Sequence, residues 1–230
     1  MKRRIVELIL VAGVLALITG VLQWTDADRF IARLIWRPGQ TWPGIGVPFW
    51  RFLYHWAPLP AFVLAFLSLA ALVRSFLNHA EAREKKRYLF LLLALVLGPG
   101  LLVNTLLKDQ LGRPRPRELT EFGGRYQYVD PLDSGPVEKN SSFPSGHASV
   151  AFYLLVPWFV YRDRHRVLGL VFLFSGLGFG VLVGMARIFQ GAHFVSDVLW
   201  AGGLVYLVAG ILALVMRVGM EGSPPEAGSA

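Results

Sequence analysis

The chain has 230 residues, 54% of them hydrophobic, with a mean hydropathy of +0.50 and a formal net charge of +8. Its apolar residues are bunched into runs of bilayer-crossing length with the charge lying between them. That pattern excludes an ordinary soluble domain, whose core could not bury several such runs. There is no cysteine, so disulfide frameworks and thiol chemistry are excluded as well.

In chain order, six spans are predicted, over 5–23, 58–77, 88–107, 147–161, 167–186 and 196–216. Each should be helical, because lipid offers unpaired backbone groups no partner. The first follows Met1-Lys2-Arg3-Arg4, which also suits a signal peptide. Its length and lack of a small-residue cleavage site favour a retained anchor. Between the first two spans, DRFIARLIWR places Arg29, Arg33 and Arg37 at helical spacing beside Phe30, Ile31, Leu34, Ile35 and Trp36, the pattern of an interfacial amphipathic helix. Trp42, Trp50, Tyr54 and Trp56 then suggest an aromatic belt at headgroup depth. Gly98-Pro99-Gly100 inside the third span predicts a kink. The fourth span is the shortest, and the tail EGSPPEAGSA reads as disordered.

With an even number of spans, the N-terminus, the loops near 78–87 and 162–166, and the tail share one side. Total Lys and Arg divide almost evenly between the two sides, but NHAEAREKKRY and RDRHR are short, basic and abut the spans, as cytoplasmic loops do. Both termini are therefore placed in the cytoplasm. The segments 24–57, 108–146 and 187–195 then face outward.

Three residue sets collect on that outer side. KDQLGRPRPREL crowds Lys108, Arg113, Arg115 and Arg117 into one short stretch. Arginine forks and a mobile lysine suit phosphate oxygens. Basic residues beside a span also snorkel or meet lipid headgroups, and Arg113, Arg117, Arg125 and Lys139 are left with that reading. In PSGH, Ser145 is placed as an N-cap and Gly146 allows close backbone approach to a ligand. His147 stands on the first turn of a helix whose free amides attract anions. Alone, His147 also fits an interfacial histidine bonded to water or a carbonyl. In ARIFQGAHFVSD, Arg187 precedes His193 and Asp197, which lie four apart on one helix face. A carboxylate accepting one ring N–H would leave the other nitrogen free as a nucleophile or base. An i, i+4 pair at a helix end is the ordinary alternative. His55, His79 and His165 have no such company.

Lys108 to Pro116 reads K-x6-RP, Pro144 to His147 reads PSGH, and Arg187 to Asp197 reads R-x5-H-x3-D. In this order the three motifs resemble the signatures of the type 2 phosphatidic acid phosphatase (PAP2) superfamily. One departure is Ala186, where the family often has Ser. Vanadium haloperoxidases share the motifs but are soluble. The resemblance implies an all-α, polytopic membrane enzyme with six transmembrane helices and its active site at the extracytoplasmic ends of helices 3, 4 and 6. One domain would cover 1–220, with an interfacial segment over 24–57, an active-site loop over 108–146, and a disordered tail over 221–230.

Carried over residue by residue, the resemblance implies that His193, oriented by Asp197, attacks phosphorus, and that His147 protonates the leaving oxygen. Lys108, Arg115 and Arg187, with the Ser145 hydroxyl and the Gly146 amide, would hold the phosphoryl oxygens. No metal or other cofactor is expected. The expected partners are a lipid phosphate substrate and membrane lipids, without nucleic acid. The expected place is a bacterial cytoplasmic membrane, with the site facing the periplasm. Undecaprenyl diphosphate, phosphatidylglycerophosphate, phosphatidate and lipid A phosphates are candidate substrates, and the GRPRP…FGG…FPSGHAS run resembles the lipid A branch. A lipid-to-lipid phosphotransferase using the same histidine, and a non-catalytic lipid-binding protein, are the alternatives.

Overall fold

The computed structural model describes residues 1–139 and 141–219. The 221–230 tail expected to be disordered lies outside the described residues. The elements are α1 (Lys2–Trp24), α2 (Ala27–Ile35), α3 (Pro48–Trp56), α4 (Leu59–Leu77), α5 (Ala82–Gln110), α6 (Gly146–Phe152), α7 (Trp158–Tyr161), α8 (Arg166–Phe189) and α9 (Val195–Met216). Among the described residues, five helical stretches are long and apolar enough to cross a membrane: α1, α3–α4 together, α5, α8 and α9.

The fourth predicted span differs from a regular helix. After Phe152 the chain tightens into a 3₁₀ turn over Tyr153–Leu155, and Pro157, which has no N–H to give, restarts it as α7. The segment is nevertheless the heart of the bundle. Ala148, Ala151, Phe152, Tyr153, Leu155 and Val156 are buried, and the Tyr153 hydroxyl donates to the Leu91 carbonyl at 2.9 Å. Helix α8 meets it along Gly176 and Gly180, where an added Cβ would collide with Leu155 and Phe152. Small residues let helices approach where no hydrophobic effect drives them together.

Contacts fix which ends lie together. Helix α1 runs antiparallel to α9. Arg4 donates to Val218 O at 2.8 Å, and the Trp200 indole donates to the Thr19 hydroxyl at 2.8 Å. Arg162 makes a two-pronged pair with Glu7, both bonds 2.9 Å, and Arg4 pairs with Asp163. The segment that starts at Gly146 therefore ends beside the N-terminus of α1. His79, Arg83 and Arg164 line one pocket at that same end, so the two basic loops cluster at the end of the bundle away from Gly146.

The kink expected at Gly98-Pro99-Gly100 takes the form of a widened helix. From Val96 to Leu107 the turns are π-helical, and Asn104 Nδ2 donates to Pro99 O at 2.7 Å. Wider turns accommodate a proline inside the helix and bring Asn104 toward Gly146.

Outside the bundle, 108–146 folds back on itself. Gly135 N donates to Leu111 O at 2.7 Å, Val137 N to Gly112 O at 2.9 Å, and Ser142 N to Arg113 O at 2.7 Å. Gly112 has a φ of +62° and its backbone abuts Gly135, so a side chain would fit at neither position. The expected aromatic belt is only partly present. Trp56 is exposed, but Trp42 is buried in a small cluster with Phe122, Leu119 and Phe194. Its indole packs on the backbone at Gly191, and that contact draws it in from the headgroup region.

Candidate active site

The site begins with Asp197 in the first turn of α9. It is fully buried, and each of its oxygens is held. Oδ1 accepts from Arg113 Nη1 at 2.6 Å. Oδ2 accepts from the Phe194 backbone N–H at 2.8 Å, as an acid at N3 of a helix does, and from the Ser142 hydroxyl. His193 Nδ1 stands 3.4 Å from the same Oδ2. That is within ion-pair reach, but His193 Nδ1 makes no hydrogen bond to a described residue. The expected ring-to-carboxylate bond is therefore loosened, because Oδ2 already serves two nearer donors. Burial pushes the His193 pKa down to about 3; Asp197 opposes the drop, and the charges of Arg187 and Lys108 add to it. The ring is neutral at physiological pH.

Arg113 corrects the sequence reading most sharply. It is a buried hub and not an interfacial residue, with 1% of its surface exposed. Besides Asp197 it donates to Asp28 at 2.9 Å, to the Ser196 hydroxyl at 2.8 Å, to Val129 O at 2.9 Å and to the Tyr128 hydroxyl at 3.1 Å. Burial opposes its charge, but Asp197 and Asp28 outweigh burial and raise its pKa above the ordinary arginine value. Asp28 comes from α2, where it and Ala32 are the buried residues, and it also accepts from the Ser196 backbone N–H at 3.0 Å. Arg117, Arg125 and Lys139 are exposed.

The second motif packs directly against the third. Ser145 N donates to Asp197 O at 3.1 Å, and Ser145 O accepts from Ser149 N at 3.0 Å. Ser145 thus holds the N-cap position, but its side chain does not cap. The hydroxyl is buried and has no partner among the described residues. A Cβ on Gly146 would strike Asn104 and lie 3.2 Å from Lys108 Nζ, which places the lysine of the first motif at the mouth of α6.

His147 lies under an aromatic cover that the motifs did not reveal. Tyr54 of α3 stacks on it with ring centroids 4.6 Å apart and planes 22° apart. The Arg187 guanidinium lies 4.6 Å from the centroid of the same Tyr54 ring. Arg187 also donates to the Gln190 side chain, while its Nε is buried without a partner among the described residues. Arg115 is largely buried too. Burial, with the Arg117 charge adding, holds its pKa below the ordinary arginine value. A cavity of about 490 Å³ opens over this group, lined by Arg51, Tyr54, Arg115, Arg117, Arg187 and Gln190 among others.

All eight residues singled out from the sequence thus lie at one end of the bundle. The Ser145 hydroxyl and Arg187 Nε are buried without a hydrogen-bond partner among the described residues, while His193 Nδ1 faces Asp197. Residues 87–220 match the PAP2 superfamily. The chain belongs to the PAP2 superfamily. It is an integral-membrane, multi-pass lipid phosphatase of that class, a phosphomonoesterase. A lipid A 4′-phosphatase from Francisella tularensis subsp. novicida is 33% identical over 167 residues, covering 70% of this chain and 73% of the relative. A lipid A 4′-phosphatase from Rhizobium etli is 34% identical over 161 residues, covering 66% and 60%. The phosphatidylglycerophosphatase B of Bacillus subtilis is 33% identical over 142 residues, covering 55% and 60%. The crystal structure of a transmembrane PAP2 type phosphatidylglycerolphosphate phosphatase from Bacillus subtilis superposes with a TM-score of 0.56 at 19% identity, covering 91% of this chain and 96% of that one. That likeness shows the fold.

Proposed function

We propose that this PAP2 enzyme removes a phosphate monoester from an outer-leaflet lipid of the lipid A type by way of a phosphohistidine. The observation that carries the reading is the neutral, buried His193 beside Asp197, facing a cluster of cations rather than carboxylates. His193 attacks phosphorus through Nε2. As the P–O bond breaks, His147 gives its proton to the departing oxygen. Lys108, Arg115 and Arg187 spread the growing oxyanion charge, and the Ser145 hydroxyl and Gly146 N–H donate to it. Water then cleaves the P–N bond, releasing phosphate and restoring the ring. Asp197 holds the imidazolium form that exists in between. Among the described residues, no group of three His, Asp or Glu side chains converges as a metal cage would.

The lipid A assignment is supported by the relatives named above, and the site's place at a bundle end suits an amphiphile with a phosphate head. In this reading Gly146–Tyr161 is a sixth crossing, both termini are cytoplasmic, and the site opens outward. The test is phosphate release, in EDTA, from a panel of detergent-solubilised lipid phosphates: bisphosphorylated lipid A, phosphatidylglycerophosphate, phosphatidate and undecaprenyl diphosphate, with a His193 variant as control. Preferential release from lipid A is expected. Preference for another lipid moves the substrate, transfer of phosphate to a second lipid makes the enzyme a transferase, and loss of activity in EDTA overturns the metal-free chemistry.

A further inference from the structure

The cavity over the site holds more positive charge than one phosphoryl group requires. Arg115 and Arg187 form its floor, and two further arginines stand at its rim. Arg51 lies on the first turns of α3, three residues before Tyr54 and hence on the same side of the helix. Arg117 follows the motif arginine, fixed by its backbone N–H donating to Gly191 O at 3.0 Å. Both are exposed, and neither guanidinium has an ion pair or hydrogen bond to a described residue. None of the described residues lining the cavity is acidic. Arg117 acts repulsively on Arg115 and Arg187. Four like charges around one opening raise the energy of the empty site, and an anion larger than the scissile phosphoryl relieves it.

The wall that positions this rim is well built. Gly44 N donates to Phe189 O at 2.9 Å, and a Cβ at Gly44 would come within 2.7 Å of the Phe189 carbonyl carbon. The loop before α3 is thereby held against the end of α8, which brings Arg51 over the same opening as Arg187.

We propose that Arg51 and Arg117 form a second anion subsite at the cavity mouth, which takes a phosphate or other anionic group carried elsewhere on the same lipid headgroup. The subsite rests on the reading that Arg115 and Arg187 hold the scissile phosphoryl. It selects substrates with two anionic groups over those with one, through binding rather than through the chemical step.

The test compares phosphatidylglycerophosphate, which carries a phosphodiester besides its terminal monoester, with phosphatidate of the same acyl chains. Both are assayed in neutral detergent with concentration expressed as mole fraction. In Arg51→Ala/Arg117→Ala, KM for phosphatidylglycerophosphate should rise about 10-fold or more, as loss of contacts to a charged group does. For phosphatidate, kcat and KM should change less than about 3-fold. Arg51→Lys/Arg117→Lys should recover much of the discrimination. Equal effects on both lipids, or no effect on either, overturn the subsite. An effect that appears only when phosphatidylglycerol is added to the micelles also overturns it, assigning the arginines to bulk headgroups. Lipid A plays no part in this comparison, so failure of the lipid A assignment leaves the result readable.

Discussion

Arg113 and Asp197 are joined at 2.6 Å where neither meets solvent, and Asp28 of α2 closes the triad on the arginine's other side. One cation thus stands between two carboxylates that come from opposite ends of the sequence. Breaking such a set by removing the cation leaves two buried charges facing each other.

Arg113→Met should therefore destabilise the protein by ~3–5 kcal/mol and fold poorly. Asp28→Asn is the gentler probe, because it keeps the shape and leaves Arg113 with Asp197. We expect it to fold, to retain KM and to lose kcat by roughly 10-fold, since a small displacement of Asp197 moves His193 off its line of attack. A KM increase with kcat intact would show that Asp28 acts on substrate binding instead.

His193→Ala should reduce turnover by at least about 10³-fold while the protein stays monodisperse in detergent. His147→Ala should be less damaging for lipid phosphates with a low-pKa leaving group than for alkyl phosphates. Rapid quench of wild type with labelled substrate should trap an acid-labile, base-stable phosphoryl group. Its appearance in a His193→Gln protein would remove His193 from the nucleophile role.

Much of the site's placement was legible from short-range spacing. His193 and Asp197 are only four residues apart, PSGH is contiguous, and the lysine and arginine of the first motif are close in sequence. The shared helix face expected for the pair is not what joins them: α9 starts at Val195, and His193 precedes the extended Phe194 that caps it. What spacing could not reveal lies across the chain. Arg113 reads like any basic residue near a span, because its partner Asp28 is separated from it by the whole of α3, α4 and α5. The Tyr54 stack on His147 depends on α3 folding back over the site, and only a tryptophan-rich run hinted at that segment. The apolar runs placed the long helices well. Between 147 and 161 the composition is that of a span, yet the segment is broken, because Pro157 withholds an N–H and the Tyr153 hydroxyl is tied to α5.

Acidification should separate the folded from the unfolded His193. The folded ring has a pKa of about 3 and the free side chain one near 6.5. Between those values the unfolded chain takes up a proton that the folded chain refuses, so stability rises with pH through that window and is flat above it. Thermal denaturation in detergent should show wild type losing stability from pH 6.5 toward pH 4 more steeply than His193→Gln. Parallel curves would mean that the ring is as easily protonated in the fold as outside it.

Ser145→Ala offers a contrast between stability and activity. The hydroxyl is buried without a partner among the described residues, so its loss should leave the melting temperature equal or higher, by up to ~1 kcal/mol in stability. Catalytic efficiency should fall about 10-fold or more if the group donates to the phosphoryl oxygens. Gly146→Ala should act through crowding, since its Cβ would press on Asn104, tied to Pro99, and on Lys108. A drop in melting temperature for Ser145→Ala would mark the hydroxyl as structural.

Orientation is open to direct labelling, because the native chain contains no cysteine. Asp133→Cys lies in the loop on the site side, and Glu81→Cys lies in the basic loop at the other end, both exposed. On intact spheroplasts an impermeant maleimide should modify only the cysteine at 133. Modification of the cysteine at 81 alone would invert the topology and bring the site to the cytoplasm.

The break in the fourth predicted span is tolerable because of where it sits. Gly146–Tyr161 reaches from the site to the N-terminal end of α1, and at ~1.5 Å per residue it is only about 25 Å long, against ~30 Å of hydrocarbon. Ala148, Ala151, Phe152, Tyr153, Leu155 and Val156 are buried, so longer helices sheathe the segment and its irregular turns meet protein instead of lipid. Irregular backbone at membrane depth is tolerated only where protein or water satisfies it. A short segment can therefore carry His147 without its own ends having to match the thickness of the bilayer.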